Sequence, residues 1–92
     1  MSDVIITLNI MPESPDVDLK AIEHDSLKKI KVFTGMDTHK VEIVPVAFGL
    51  KAVKIMFVMP ESKGATDDLE ADIGKIHGVN SVEVTDVRRT LG

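Results

Sequence analysis

The chain has no cysteine, no tryptophan and no tyrosine, and its only aromatic residues are three phenylalanines. Each absence excludes a class of function. Without cysteine there is no disulfide, no thiolate metal ligand and no Cys-x-x-Cys copper site. Three phenylalanines make a poor platform for stacking successive bases, which argues against RNA recognition. A net charge of −4 makes a phosphate backbone an unsuitable main partner as well, so no direct nucleic-acid binding is expected. A mildly acidic body better suits a basic protein partner. No apolar run approaches the ~18–20 residues of a membrane span, so no membrane partner is expected. The start, Met1-Ser2-Asp3 followed by Val4-Ile5-Ile6, has no basic region and no cleavage signature. An intact, cytoplasmic chain is the expectation.

What is present describes a folded protein. Hydrophobic residues make up 43% and charged residues 28%, the balance of a globular chain rather than a disordered one. Ninety-two residues fit one domain, 1–92, with a small core.

Asp3 to Met11 reads as a strand, with Val4, Ile6, Leu8 and Ile10 on one face by the two-residue period. Ile5, Thr7 and Asn9 make the other face mixed, as in an antiparallel sheet with one wet side. Pro12 stops the strand, and Pro12 to Asp16 forms a turn. A helix follows, capped by Asp16 or Asp18 and running roughly to Lys31. Leu19, Ile22, Leu27 and Ile30 form its apolar stripe. Acidic residues early and Lys28, Lys29 and Lys31 late suit the helix dipole. That lysine cluster is read as a solvated helix end, not a phosphate site.

Val32 to Thr38 is expected as a connection. A second strand spans about His39 to Val46 and a third, apolar on both faces, Leu50 to Met59, which places the third inside the sheet. Met59-Pro60-Glu61-Ser62 repeats Met11-Pro12-Glu13-Ser14, suggesting two similar strand-to-helix junctions. The second helix spans about Thr66 to Ile76, with Thr66 as N-cap, Leu69, Ile73 and Ile76 buried, and Gly78 as the stop. The last strand runs from Val79 to about Val87 with Val82 and Val84 inward. Residues 88–92 are expected as a frayed basic tail. Strand, helix, strand, strand, helix, strand with right-handed crossovers gives a four-stranded antiparallel sheet with both helices on one face. This is the ferredoxin-like α+β sandwich, which hosts many functions.

No catalytic constellation stands out. His24, His39 and His77 are scattered, and none pairs at metal-ligand spacing. There is no Gly-x-Ser-x-Gly elbow, P-loop or dinucleotide fingerprint. The acids Asp67, Asp68, Glu70 and Asp72 lack a calcium-loop pattern and read as a solvated helix face. No metal and no cofactor are expected.

The remaining candidate is the tip between the second and third strands, Pro45-Val46-Ala47-Phe48-Gly49-Leu50-Lys51. Gly49 permits a sharp turn from which the Phe48 ring could project towards a partner. The plainer reading has Phe48 folding back to lid the core.

Three segments together resemble a known family. They are Met11-Pro12-Glu13-Ser14-Pro15-Asp16-Val17-Asp18-Leu19, the Pro45–Lys51 tip, and Val84-Thr85-Asp86-Val87-Arg88-Arg89. The chain, from about Val4 to Arg89, resembles archaeal elongation factor 1-beta, the nucleotide exchange factors of elongation factor 1-alpha. The resemblance implies the ferredoxin-like fold, a GTPase partner and release of GDP without covalent chemistry. In eukaryotic relatives the aromatic of the matching tip wedges into the GTPase. That role carries onto Phe48, with Pro45, Gly49 and Lys51 shaping or flanking the tip. The same relatives use a lysine just before the C-terminus against the Mg²⁺ site, and this chain has none there. Arg88 and Arg89 are the nearest cations. Either an arginine substitutes from another register, or the ion is displaced indirectly, or the catalysis is weaker. The free exchange factor is expected to be a monomer. The competing reading is a small ligand-binding regulatory module that dimerises through its sheet, with Gly49 and Gly78 in pocket-lining loops. An acylphosphatase-like hydrolase lacks the required phosphate loop.

Overall fold

Alternating apolar residues build the central strand, β1 (Asp3–Pro12), and everything else packs around it. In the computed structural model, which describes residues 2–90, β1 is followed by α1 (Leu19–Thr34), β2 (His39–Pro45), β3 (Lys51–Pro60), α2 (Asp67–Gly74) and β4 (Val79–Arg89). The sheet order is β2-β3-β1-β4 and every pairing is antiparallel. The two strands with the most continuous apolar character, β1 and β3, are central. The charged strands β2 and β4 form the edges, where polar side chains discourage further pairing.

Register explains the core. Val4, Ile6, Leu8 and Ile10 stand opposite Met59, Phe57, Ile55 and Val53, so all eight side chains share one face. That face is covered by Ile22 and Ile30 of α1 and Leu69 and Ile73 of α2, and all twelve are buried. This is the ferredoxin-like sandwich that the element order predicts. Phe57 is the largest fully buried side chain.

At their ends the helices match expectation in the cap of α1 and differ from it elsewhere. Asp18, not Asp16, caps α1, and its Oδ1 accepts from the backbone N–H groups of Lys20 and Ala21 at 3.0 and 3.2 Å. The first turn of α1 holds no acidic residue, and only Lys31 of the three lysines lies in the last turn. α1 continues past Lys31 through Val32, Phe33 and Thr34. Gly35, in the left-handed region at φ 71°, ends it with its N–H on the Lys31 carbonyl. Val32-Phe33-Thr34 has the β-branched and aromatic character of a strand. Helix packing overrides that preference, because Phe33 packs on the core and Thr34 is buried. α2 is shorter than its apolar spacing suggests. It ends at Gly74, after which the N–H groups of Lys75, Ile76 and Val79 each bond to a carbonyl three residues back. Thr66 precedes α2, but its hydroxyl donates to the Glu70 carboxylate at 2.8 Å instead of accepting a backbone N–H.

β4 holds two surprises. Its ladder shifts between Thr7 and Leu8: Leu8 faces Val84, whereas Thr7 faces Asp86. Thr85 is therefore an extra residue, a β-bulge. Continued alternation from Val82 and Val84 would aim Asp86 and Arg88 at the core. The bulge reverses the phase, so Val87 faces Ile6 on the helix side and Asp86 and Arg88 turn to the open face. The second surprise is that Arg88 and Arg89 are not tail. They are the last residues of β4, paired with Ile5 and Val4. Leu91 and Gly92 lie outside the described residues.

Candidate functional site

β2 and β3 pair out to Pro45 and Lys51, while β1 leaves β3 at Val53. The end of this hairpin is therefore a two-stranded ribbon extending beyond the sheet. Pro45 is tolerated because β2 is an edge. The turn closes through the Leu50 N–H on the Ala47 carbonyl at 3.2 Å and the Val46 N–H on the Leu50 carbonyl at 2.8 Å. Both central residues have positive φ, 59° for Phe48 and 77° for Gly49, the φ signature of a primed hairpin turn. Gly49 takes this conformation at no steric cost. Phe48 does not: it has a Cβ and a bulky ring, and is the one non-glycine residue with positive φ among those described.

The Phe48 side chain is 95% exposed. That overturns the core-lid expectation, and the reason is geometric. The ring is carried past the end of β1, where there is no core left to cover. The hairpin offers further apolar surface that sequence reasoning did not single out. Val46 is 47% exposed and Ile43 44%. The signal for both was available: they are large apolar residues on an edge hairpin longer than its neighbouring strand. Pro45 and Lys51 are exposed and face each other at the base of the turn.

Arg88 and Arg89 lie at the opposite end of the molecule. β3 runs from Lys51 beside the tip to Pro60, and Pro60 faces Asp3 next to the Val4–Arg89 pair. At ~3.3 Å per residue those strand ends are roughly 30 Å apart. The two arginines also diverge. Arg88 pairs across the open face with Asp86 at 2.8 Å, while Arg89 reaches Glu61 at 2.7 Å from the helix side. The six candidate residues thus form two separate groups, a strained apolar tip and a basic strand end.

Other chemistry is sparse. His24, His39 and His77 are exposed, and no group of three or more His, Cys, Asp or Glu residues comes together among the described residues. Of the two loops expected to line a pocket, the one at Gly78 does so, since Val17, Ile76 and His77 beside it border a depression of about 430 Å³. Gly49 sits in the open turn, and Gly78 is buried with a Val17 methyl lying 2.6 Å from where its own Cβ would be. The depression between the helices, about 330 Å³, is bounded by Lys28, Lys29, Val32, Phe33, Asp68, Leu69 and Asp72. Among the described residues, no helix is long and apolar enough to cross a membrane.

A ferredoxin-like sandwich with an exposed aromatic on a positive-φ turn defines a structural class, one that hosts many functions. Comparison with known proteins makes the class specific. Residues 5–90 match the EF-1 guanine nucleotide exchange domain. The chain is 43% identical over 91 residues to elongation factor 1-beta of Methanothermobacter thermautotrophicus, covering 99% of this chain and all of the relative. It is 41% identical to the protein of that name from Methanobrevibacter smithii over the same span. Identity to that from Archaeoglobus fulgidus is 42% over 89 residues, or 95% and 97% of the two chains. The chain belongs to the EF-1 guanine nucleotide exchange family, and its role is that of a nucleotide exchange factor in translation elongation.

Proposed function

We propose that this chain, acting as a single domain and a monomer when free, docks its Phe48 hairpin on elongation factor 1-alpha. Docking speeds the loss of GDP so that GTP can replace it. The work is done in the cytoplasm by binding alone, with no bond made or broken. The carrying observation is the 95% exposure of an aromatic ring on a strained turn. Strain of this kind persists where a surrounding structure enforces it and is concentrated at working surfaces.

The energetics follow from linkage. A factor that binds the empty GTPase better than the GDP-loaded one must weaken GDP binding by the same ratio. A thousandfold weakening needs about 4 kcal/mol of differential contact. Burying one phenylalanine side chain supplies about 1.5–3 kcal/mol. The exposed Val46 and Ile43, with Pro45, Gly49 and Lys51 around the turn, supply the surrounding contact that excludes water. Arg88 and Arg89 form a second contact at the far strand end, so the GTPase must present a surface about as long as the sheet. Arg89 would have to exchange Glu61 for the partner. Arg88 and Arg89 do not take over the lysine's role against Mg²⁺, whose displacement follows indirectly from movement around the docked tip.

The test is stopped-flow release of a fluorescent GDP analogue from elongation factor 1-alpha. Micromolar factor should accelerate release in a saturable way, and Phe48→Ala should cut the effect at least about tenfold. No acceleration by the unaltered protein would end the proposal.

A further inference from the structure

After Phe48, the most exposed large apolar side chain among the described residues is Val32, at 86%. The hairpin surface does not account for it. Val32 lies in the last turn of α1, where a β-branched residue is a poor helix former and an exposed one adds nothing to the core. It stands at the rim of the depression between the helices, whose apolar lining is completed by half-buried Phe33 and buried Leu69.

The charged lining is divided by helix. α1 contributes Lys28 and Lys29, and α2 contributes Asp68 and Asp72. Helical spacing sets this up: Lys28 and Val32, Lys29 and Phe33, and Asp68 and Asp72 each stand four residues apart and so stack along one edge. The two aspartates repel each other at that spacing, which α2 alone does not favour. Yet the facing edges leave their opposite charges unpaired. Among the described residues, none of the four lies within ion-pair distance of an opposite charge, whereas Lys31 of the same helix pairs with Asp37 at 3.3 Å. The same two lysines border a second depression, of about 360 Å³, with Asp25, Lys75, Ile76 and His77. The furrow is therefore longer than a single side chain needs.

An apolar strip between one basic and one acidic edge is the complement of an amphipathic helix, which carries an apolar stripe with a charged flank on either side. A strand does not match it, because neighbouring side chains point to opposite faces. A second copy offers the same hollow, and two hollows do not fill each other.

We propose that the α1–α2 furrow docks an amphipathic helix of a protein partner. Its apolar stripe covers Val32, Phe33 and Leu69, its acidic flank faces Lys28 and Lys29, and its basic flank faces Asp68 and Asp72. The site is independent of the Phe48 reading. α1 ends and α2 begins at the Pro60 end of the sheet, away from the tip, so both surfaces can be occupied at once.

The probes are three synthetic helical peptides of about 18 residues with one leucine stripe. The first has glutamates on one flank and lysines on the other, the second glutamates on both, the third lysines on both. Each is titrated into the ¹⁵N-labelled full chain. The mixed peptide should shift amides of residues 28–33 and 68–72 saturably, and bind at least about tenfold tighter than the other two. Val32→Asp should weaken it at least about tenfold. Lys28→Glu with Lys29→Glu makes both edges acidic, and glutamate keeps the helix as well as lysine does. That variant should prefer the all-lysine peptide. GDP release by both variants should match that of the unaltered chain. The proposal is overturned if the mixed peptide gives no saturable shift, if the three peptides bind alike, or if the preference stays put when the lysines are reversed. Loss of GDP release with Val32→Asp would place the furrow in the exchange surface and overturn its independence. Sedimentation of the unaltered chain tests the remaining occupant: dimers abolished by Val32→Asp would assign the furrow to a second copy and overturn the proposal as well.

Discussion

Replacing Phe48 by asparagine should move stability and activity in opposite directions. The ring is 95% exposed, so removing it gives up almost no core packing. Its backbone sits at φ 59°, where a side chain with a Cβ costs about 1–2 kcal/mol and asparagine is among the best tolerated substitutes for glycine. Relief of part of that strain should stabilise the free protein by about 0.5–1 kcal/mol. For a domain of this size that raises Tm by about 2–8 °C. The same change removes the anchor. Losing about 1.5–3 kcal/mol of burial on docking lowers kcat/KM for GDP release by about 10- to 100-fold. Calorimetry gives the first quantity and fluorescent GDP release the second. A ring that lidded the core would behave differently, because deleting it would cost about 3–5 kcal/mol. A fall in Tm of more than a few degrees would therefore refute the placement of the ring. Unchanged exchange would refute its role.

Three further changes test the scaffold. Gly78→Ala should destabilise by about 1–3 kcal/mol in urea titration, because φ is 91° and the new methyl would overlap Val17. Ser26→Ala should stabilise by about 1 kcal/mol in the same assay, since the Ser26 hydroxyl is fully buried without a partner and alanine is the better helix former. Asp18→Ala removes the acceptor for two N–H groups at the start of α1 and should cost about 0.5–2 kcal/mol.

Most of the fold could be read in the sequence because its central strands obey simple periods. Val4, Ile6, Leu8 and Ile10 announce one buried face, and Val53, Ile55 and Phe57 announce its partner. Errors gathered where local and tertiary preferences diverge. Val32-Phe33-Thr34 favours a strand, and only packing on the core keeps it helical up to Gly35. Ile76 continues the spacing of Leu69 and Ile73, but the chain has already left the helix for a turn that must bring Gly78 to Glu13. The bulge at Thr85 has no marker residue, so the reversal of Asp86 and Arg88 to the open face was invisible. Arg88 and Arg89 read as tail because an edge strand does not need apolar alternation to pair.

The site was legible in part. Phe48-Gly49 stood out as an aromatic beside a permissive residue between two strands. Its orientation did not, because that depends on β1 ending before the hairpin does. The separation of the tip from Arg88 and Arg89 likewise follows from topology, which places the end of β3 and the end of β4 on either side of the start of β1.

The three phenylalanines make the central claim directly observable. With every phenylalanine replaced by its 4-fluoro analogue, the ¹⁹F spectrum should contain one resonance each for Phe33, Phe48 and Phe57. In the free protein the Phe48 resonance should show the full solvent isotope shift between H₂O and D₂O. On adding nucleotide-free elongation factor 1-alpha it should move and lose that shift, while buried Phe57 stays in place. A Phe48 resonance that keeps its solvent shift in a complex competent to release GDP would contradict the account.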